Sequence, residues 1–168
     1  QIMENWVGEK ETLHLFAKHY ETQKDIPDEL IEKIKASQAF NKGLWSLRQL
    51  SLGFLDMAWH TTDPLNIDNV AEFEKQAMEK TRLLPRVEGS NVSCSFGHIF
   101  SGGYSAGYYS YKWAEALDAD AFEHFKEKGI FNKEVATSFR TNILEKGNTK
   151  PPMELYVKFR GKKPDPNA

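Results

Sequence analysis

The sequence predicts an all-α fold, on three observations. Apolar residues recur at spacings of three and four along most of the 168 residues, which is the period of a helix with one buried face. Proline, asparagine and glycine separate these segments where helices are expected to begin and end. No segment alternates apolar and polar residues between turn signals, as a half-buried strand would. A chain of this length can bury one core, so one domain is expected over residues 1–168.

Four helices are predicted in the first half of the chain. The first is expected to bend or break near Gly8, because glycine inside a helix costs about 1 kcal/mol relative to alanine. Pro27 opens the second, with Asp28 and Glu29 in the first turn, where the helix dipole favours negative charge. The other predicted bounds are about 1–19 for the first helix, 44–60 for the third and 69–82 for the fourth.

The second half begins with an irregular stretch, residues 86–103, which is rich in glycine and serine. A long helix is predicted from about Tyr104 to about Lys128. Asn132 can cap a further helix that ends at Gly147, and the last helix opens at Pro151.

Composition excludes several classes of protein. The net charge is −2, from 22 basic and 24 acidic residues, so no nucleic-acid partner is expected. No apolar stretch approaches the length of a membrane span, and no membrane association is expected. Cys94 is the single cysteine, which rules out an internal disulfide and indicates a reducing compartment, with the cytoplasm as the expected location. The N-terminal residues show no signal peptide. A helical pattern is already present at residues 2–6 without a capping residue ahead of it, so we expect the chain to be cut at its start.

The common catalytic motifs are missing from the sequence. No pair of histidines forms H-E-x-x-H, the motif that places two zinc ligands on one helical face, and no G-x-S-x-G elbow or phosphate-binding glycine loop is present. One cysteine cannot make a cysteine-rich zinc site. Taken alone, each histidine is expected to have a surface or structural role. The histidines are His14, His19, His60, His98 and His124.

The informative stretch is FGHIFSGGYSAGYYSYKW, residues 96–113. If a helix begins at Tyr104, then Tyr104, Tyr108 and Tyr111 share one face, while Tyr109 and Trp113 lie on another side and are expected in the core. Three phenols need hydrogen-bond partners when they are buried. Two interpretations stay open on composition alone: a cleft that binds a polar chain such as a peptide, or a tyrosine-rich core helix.

The same stretch closely resembles the segment that follows the zinc site in the thimet oligopeptidase family of zinc metallopeptidases, nearest to its oligopeptidase A and peptidyl-dipeptidase branch. The similarity extends to residues 119–122, 129–132 and 152–155 and covers nearly the whole chain. It implies the multi-helix C-terminal part of a larger zincin-type oligopeptidase catalytic lobe, with a deep channel for short peptides. The remainder of that catalytic domain would be a partner of this chain.

The resemblance implies roles for five residues. His98, Tyr104 and Tyr111 match family residues that contact substrate and stabilise the tetrahedral intermediate, and Tyr108 matches a nearby cleft tyrosine. All three zinc ligands and the general base would precede Gln1, so the parent enzyme would use Zn²⁺ while this chain alone holds no metal. Glu4 would lie two helical turns beyond the glutamate ligand, either as a partner to a zinc-bound histidine or as an exposed carboxylate.

The resemblance implies a zinc-dependent metallopeptidase that hydrolyses short peptides, either an oligopeptidase or a peptidyl-dipeptidase. This chain would supply the substrate-binding and oxyanion-stabilising side of the cleft, and would be inactive alone. The alternative is a non-catalytic helical module that binds peptides or partners on a peptidase scaffold.

Overall fold

The computed structural model describes residues 1–165, which belong to two compact units. The first unit comprises Gln1–Ser37 and the residues from Trp113 onward, and the second comprises Gln38–Lys112. The described residues contain no β-strand, only an isolated antiparallel bridge between Lys18 and Asp25. The predicted all-α fold is therefore confirmed. Across residues 1–165, no helix has the length and apolar character needed to cross a membrane.

Some of the helix boundaries follow the capping signals, although α8 ends at Phe139 and not at the predicted Gly147. In chain order the α-helices are α1 (Glu4–Val7), α2 (Lys10–Phe16), α3 (Asp28–Ala39), α4 (Lys42–Thr61), α5 (Val70–Met78), α6 (Gly97–Phe100), α7 (Ser110–Lys128), α8 (Lys133–Phe139) and α9 (Pro152–Arg160). The Asn132 side chain accepts the N–H groups of Glu134 and Val135, as its predicted cap role requires. The predicted break near Gly8 is confirmed, and the residue with extended backbone there is Glu9.

Helix α7 begins at Ser110, so the predicted start at Tyr104 is wrong. Residues 101–109 form successive turns, and Ala106 adopts a left-handed conformation with φ of 52°. A right-handed helix cannot pass through that conformation. The expectation that Tyr104, Tyr108 and Tyr111 share one helical face is therefore also wrong. Tyr109 was expected in the core but is 61% exposed, because it precedes the helix.

The core of the first unit forms where α7, α8 and α9 meet. Its most buried members are Ala121, Phe122, Phe125, Ile130, Val135, Tyr156 and Phe159. The partly buried indole of Trp6 meets the rings of Phe122 and Phe125 edge-on, at centroid distances of 4.6 and 4.8 Å. Its Nε1–H donates to the carbonyl oxygen of Ile130 at 2.9 Å. Helix α1 is thereby fixed to the core although it has only four residues.

Trp113, at the edge of this unit, was expected in the core but is 57% exposed. It lines an apolar cavity of about 380 Å³ together with Leu117, Ile143, Gly147, Pro152, Met153, Leu155 and Tyr156.

The core of the second unit lies between α4 and α6. Leu55 and Ile99 are fully buried, and Leu52, Phe96 and Tyr108 complete the cluster. A further buried group, the carboxylate of Glu74 on α5, accepts the N–H groups of Val92 and Ser93 at 2.9 and 2.8 Å. The segment that leads into α6 is therefore anchored by hydrogen bonds as well as by apolar contacts.

Candidate functional site

The site residues of the second unit lie on α6, on the turns of residues 101–109 and on the first turn of α7. Ile99 anchors α6 because its side chain is fully buried, while the adjacent His98 is exposed. The chain then folds back, and the Tyr104 N–H donates to the carbonyl oxygen of His98 at 3.0 Å. A side chain at Gly102 would place its Cβ 3.0 Å from the Cα and carbonyl oxygen of His98. Glycine is thus required for this close return of the backbone.

The return brings together the aromatic cluster, which we define as His98, Tyr104, Tyr108 and Tyr111. The centroid of the imidazole lies 5.9, 6.0 and 6.4 Å from those of Tyr104, Tyr108 and Tyr111, respectively. Tyr104 and Tyr111 stack with centroids 5.1 Å apart, and Tyr108 meets Tyr111 edge-on at 5.1 Å. The structure therefore unites these four predicted residues, through a turn instead of a helical face.

Tyr108 is the buried member of the cluster, with 8% of its surface exposed. Its ring packs edge-on against Phe96 at a centroid distance of 5.2 Å. Its hydroxyl donates to Oε1 of Gln49 at 3.2 Å. Burial raises the pKa of Tyr108 above its usual value, against the opposing effect of the Arg48 guanidinium. This tyrosine fits the core interpretation of the motif more closely than the others do.

Tyr104 and Tyr111 are half-buried, and their hydroxyls are linked. A hydrogen bond with Tyr104 raises the pKa of Tyr111 above its usual value, and burial adds to the effect. Both influences favour the neutral phenol, the form that a tyrosine already has at neutral pH and the form that can donate a hydrogen bond. Together with the exposed imidazole of His98, these half-buried hydroxyls fit the cleft interpretation.

Sequence reasoning missed Asp56 on α4, which holds the turn in place. Its carboxylate is fully buried and accepts the N–H groups of Ala106 at 2.9 Å and Tyr108 at 2.8 Å. The sequence position of Asp56 could have revealed this role. Asp56 lies on the buried stripe of an amphipathic helix, next to Leu55 and four residues after Leu52. A carboxylate on such a stripe requires donors from another segment.

The described part of the chain does not supply a set of zinc ligands. No three His, Cys, Asp or Glu side chains in residues 1–165 are grouped so that they could hold a metal ion. Glu4 lies in the first unit with a largely exposed carboxylate, 86% of its side chain being accessible. Its predicted role beside a zinc-bound histidine stays a prediction.

Comparison with known proteins identifies the family. The profile of peptidase family M3 matches residues 1–168. The chain belongs to this family. M3 relatives include oligopeptidase A of Escherichia coli K12, which is 41% identical over 169 residues, covering all of this chain and 25% of that protein. The organellar oligopeptidase A of Arabidopsis thaliana is 42% identical over 171 residues, covering 99% of this chain and 22% of the relative.

A relative with a different name is also similar. Dipeptidyl carboxypeptidase of E. coli K12 is 37% identical over 166 residues, which cover 98% of this chain and 24% of the relative. The M3 chain described here thus spans about a quarter of the length of the curated relatives it matches.

Proposed function

We propose that the parent protein is a zinc-dependent metallopeptidase that hydrolyses short peptides, and that this chain forms the substrate-binding and oxyanion-stabilising side of its cleft. Membership of peptidase family M3 and the names of the relatives, oligopeptidase A and dipeptidyl carboxypeptidase, support peptides as the substrate class. The observation that carries the proposal is the aromatic cluster, in which the ring centroids of two half-buried phenols and an exposed imidazole lie 5.1–6.4 Å apart.

The chemistry of this cluster suits a peptide bond under attack. The tetrahedral intermediate of peptide hydrolysis carries an oxyanion, and each donor already aimed at that oxygen lowers the barrier by a few kcal/mol. Tyr111 is a neutral donor at physiological pH, as an ordinary tyrosine is, and its raised pKa extends the neutral form to higher pH. His98 is exposed beside it and is free to contact the substrate backbone.

The turn that carries Tyr104 also provides for movement. Gly102 and Gly103 precede it, and Gly103 has a φ of 80°, which is accessible to glycine at little cost. A turn of this kind can change between an open and a closed position as peptide enters. The closed position would be the one in which Tyr104 stacks on Tyr111.

The zinc of the parent enzyme is inferred from the family, since M3 peptidases are metallopeptidases. We infer from the family resemblance that the metal ligands and the general base precede Gln1 in the parent protein, and residues 1–165 show no grouped set of three ligands. This chain then contributes only binding and hydrogen-bond donation.

The single Cys94 favours a cytoplasmic location for the parent protein. Fractionation of cells that express the tagged full-length protein would test this location.

The test is hydrolysis of a short quenched peptide by the full-length parent protein. We expect activity that is lost on chelation and restored by zinc, and no cleavage of a folded protein. Mass spectra of the products distinguish internal cleavage from release of C-terminal dipeptides. A full-length protein that binds the peptide with zinc present but never cleaves it would instead support the helical binding module.

A further inference from the structure

Asp56 is the most enclosed ionisable group of the second unit. Its side chain has no exposed surface, although a buried carboxylate is stable only when several hydrogen bonds compensate for the lost water. The compensation comes from three groups. Oδ1 accepts from the N–H of Ala106 and Oδ2 accepts from the N–H of Tyr108. Nδ1 of His60 lies 2.9 Å from Oδ1 and 2.8 Å from the backbone carbonyl oxygen of Asp56.

The two backbone donors belong to the turn that carries the aromatic cluster. Ala106 has a φ of 52°, a left-handed conformation that costs a non-glycine residue free energy and persists only where its surroundings enforce it. The turn is further tied to α6, because the Ser105 hydroxyl donates to the carbonyl oxygen of Ile99 at 2.5 Å. The Asp56 carboxylate accepts the N–H groups of Ala106 and Tyr108, on either side of Gly107. These two hydrogen bonds can enforce the left-handed conformation of Ala106.

The geometry of the turn determines where the phenols lie. Tyr108 is bound to Asp56 through its own N–H, and its ring touches Tyr111. Tyr104 lies two residues before Ala106 and stacks on Tyr111. Releasing the turn would therefore move two of the three phenols relative to the third.

We propose that Asp56 is a positioning residue: its buried carboxylate fixes the turn of residues 104–108 and so holds Tyr104 and Tyr108 against Tyr111 in the geometry needed for peptide hydrolysis. This inference rests on the proposed function. Asp56 itself makes no contact with substrate in this scheme, and acts only through the two N–H groups that it accepts.

The variant Asp56→Asn in the full-length protein tests the inference. Asparagine has the same shape but offers only one acceptor oxygen, so one of the two N–H groups must face an NH₂ group. We expect kcat to fall by about 10²-fold, because displacement of a catalytic group by about 1 Å has that effect, while KM changes much less. Hydrogen exchange at the amides of Ala106 and Tyr108 should become faster.

The matched control is Asp120→Asn in the first unit. Asp120 is also buried and accepts the Tyr156 hydroxyl at 2.6 Å, but it does not hold the turn of the aromatic cluster. We expect this variant to lose stability and to keep its kcat. A kcat that falls equally in both variants, or that stays at the wild-type value in Asp56→Asn, overturns the positioning role.

Amide exchange in the wild-type protein keeps the inference testable if Asp56→Asn does not fold. The amides of Ala106 and Tyr108 should then exchange far more slowly than that of the exposed Gly103, and equal rates would overturn the inference. A wild-type protein without peptidase activity overturns the proposed function, and in that case amide exchange alone decides whether Asp56 fixes the turn.

Discussion

The ring of Tyr104 stacks on the ring of Tyr111, with an angle of 20° between their planes. The two residues are seven positions apart, and a left-handed residue at Ala106 separates them. The stack places two hydroxyls side by side, and their hydrogen bond raises the pKa of Tyr111. One turn therefore creates the geometry on which the proposed function depends.

Another tyrosine, Tyr156, gives a prediction about alkaline stability. Burial and the hydrogen bond to Asp120 raise the pKa of Tyr156 above its value of about 10 in the unfolded chain. Because the folded state favours the neutral phenol, the Tyr156 hydroxyl contributes fully to the free energy of unfolding below about pH 10. This contribution is lost as the pH rises through the folded-state pKa. Tyr156→Phe should lower the free energy of unfolding by about 1–3 kcal/mol at neutral pH.

Urea unfolding at a series of pH values measures this contribution. The difference between wild type and Tyr156→Phe should shrink above about pH 10. Tyr20→Phe is the control, because Tyr20 is 81% exposed and its hydroxyl should contribute little. A difference that stays constant or grows with pH would contradict the assigned pKa shift.

Most of the fold could be predicted because its helices begin and end at local signals. Asn69 and Asn132 each accept N–H groups at the first turn of a helix, and Pro27 and Pro151 precede helices as expected. Each of these signals acts within about four residues. Such interactions can be recognised in a single sequence.

The turn of residues 104–108 could not be predicted for the opposite reason. Its conformation depends on Asp56, which is about fifty residues away in the chain, and helical spacing of the tyrosines suggested a regular helix instead. The four residues of the aromatic cluster could still be predicted as site residues. The family resemblance rests on the residue types in the sequence and does not depend on the backbone conformation between them. The exposure of Trp113 was also unpredictable, since apolar periodicity does not show which apolar face remains open.

Zinc binding by the isolated 168-residue chain should be weak at best. No three potential ligand side chains are grouped in residues 1–165, and residues 166–168 are Pro, Asn and Ala, which are not zinc ligands. Equilibrium dialysis at neutral pH measures the affinity, with the full-length protein as the control expected to bind. A stoichiometric site of submicromolar affinity in the isolated chain would refute this prediction.

The isolated chain should be marginally stable or should self-associate. Large apolar side chains are exposed in the second unit, among them Trp45, Phe54, Leu83 and Leu84, and exposed apolar surface of this kind favours association. Sedimentation velocity and thermal unfolding test the prediction, and Trp45→Lys should reduce association without changing the core. A monodisperse monomer with a sharp, high melting transition would show that the chain is a complete domain.

The hydroxyl of Tyr111 decides between the cleft and core interpretations of the aromatic cluster. Tyr111→Phe keeps the ring and its contacts with Tyr104 and Tyr108 while it deletes one donor. If the hydroxyl stabilises the oxyanion, kcat of the full-length enzyme should fall by roughly 10²–10³ with little change in Tm. KM should change less than kcat, because an interaction made only in the transition state does not alter binding of the ground state.

The adjacent Tyr109 provides a matched control for this last prediction. Its side chain is 61% exposed, so Tyr109→Phe deletes a phenol hydroxyl next to the cluster without removing a donor from it. Steady-state kinetics on a short quenched peptide and a melting curve are measured for both variants. We expect a large loss of kcat for Tyr111→Phe alone. An unchanged kcat with a lower Tm, corresponding to about 1 kcal/mol of lost stability, would instead assign the Tyr111 hydroxyl to the core.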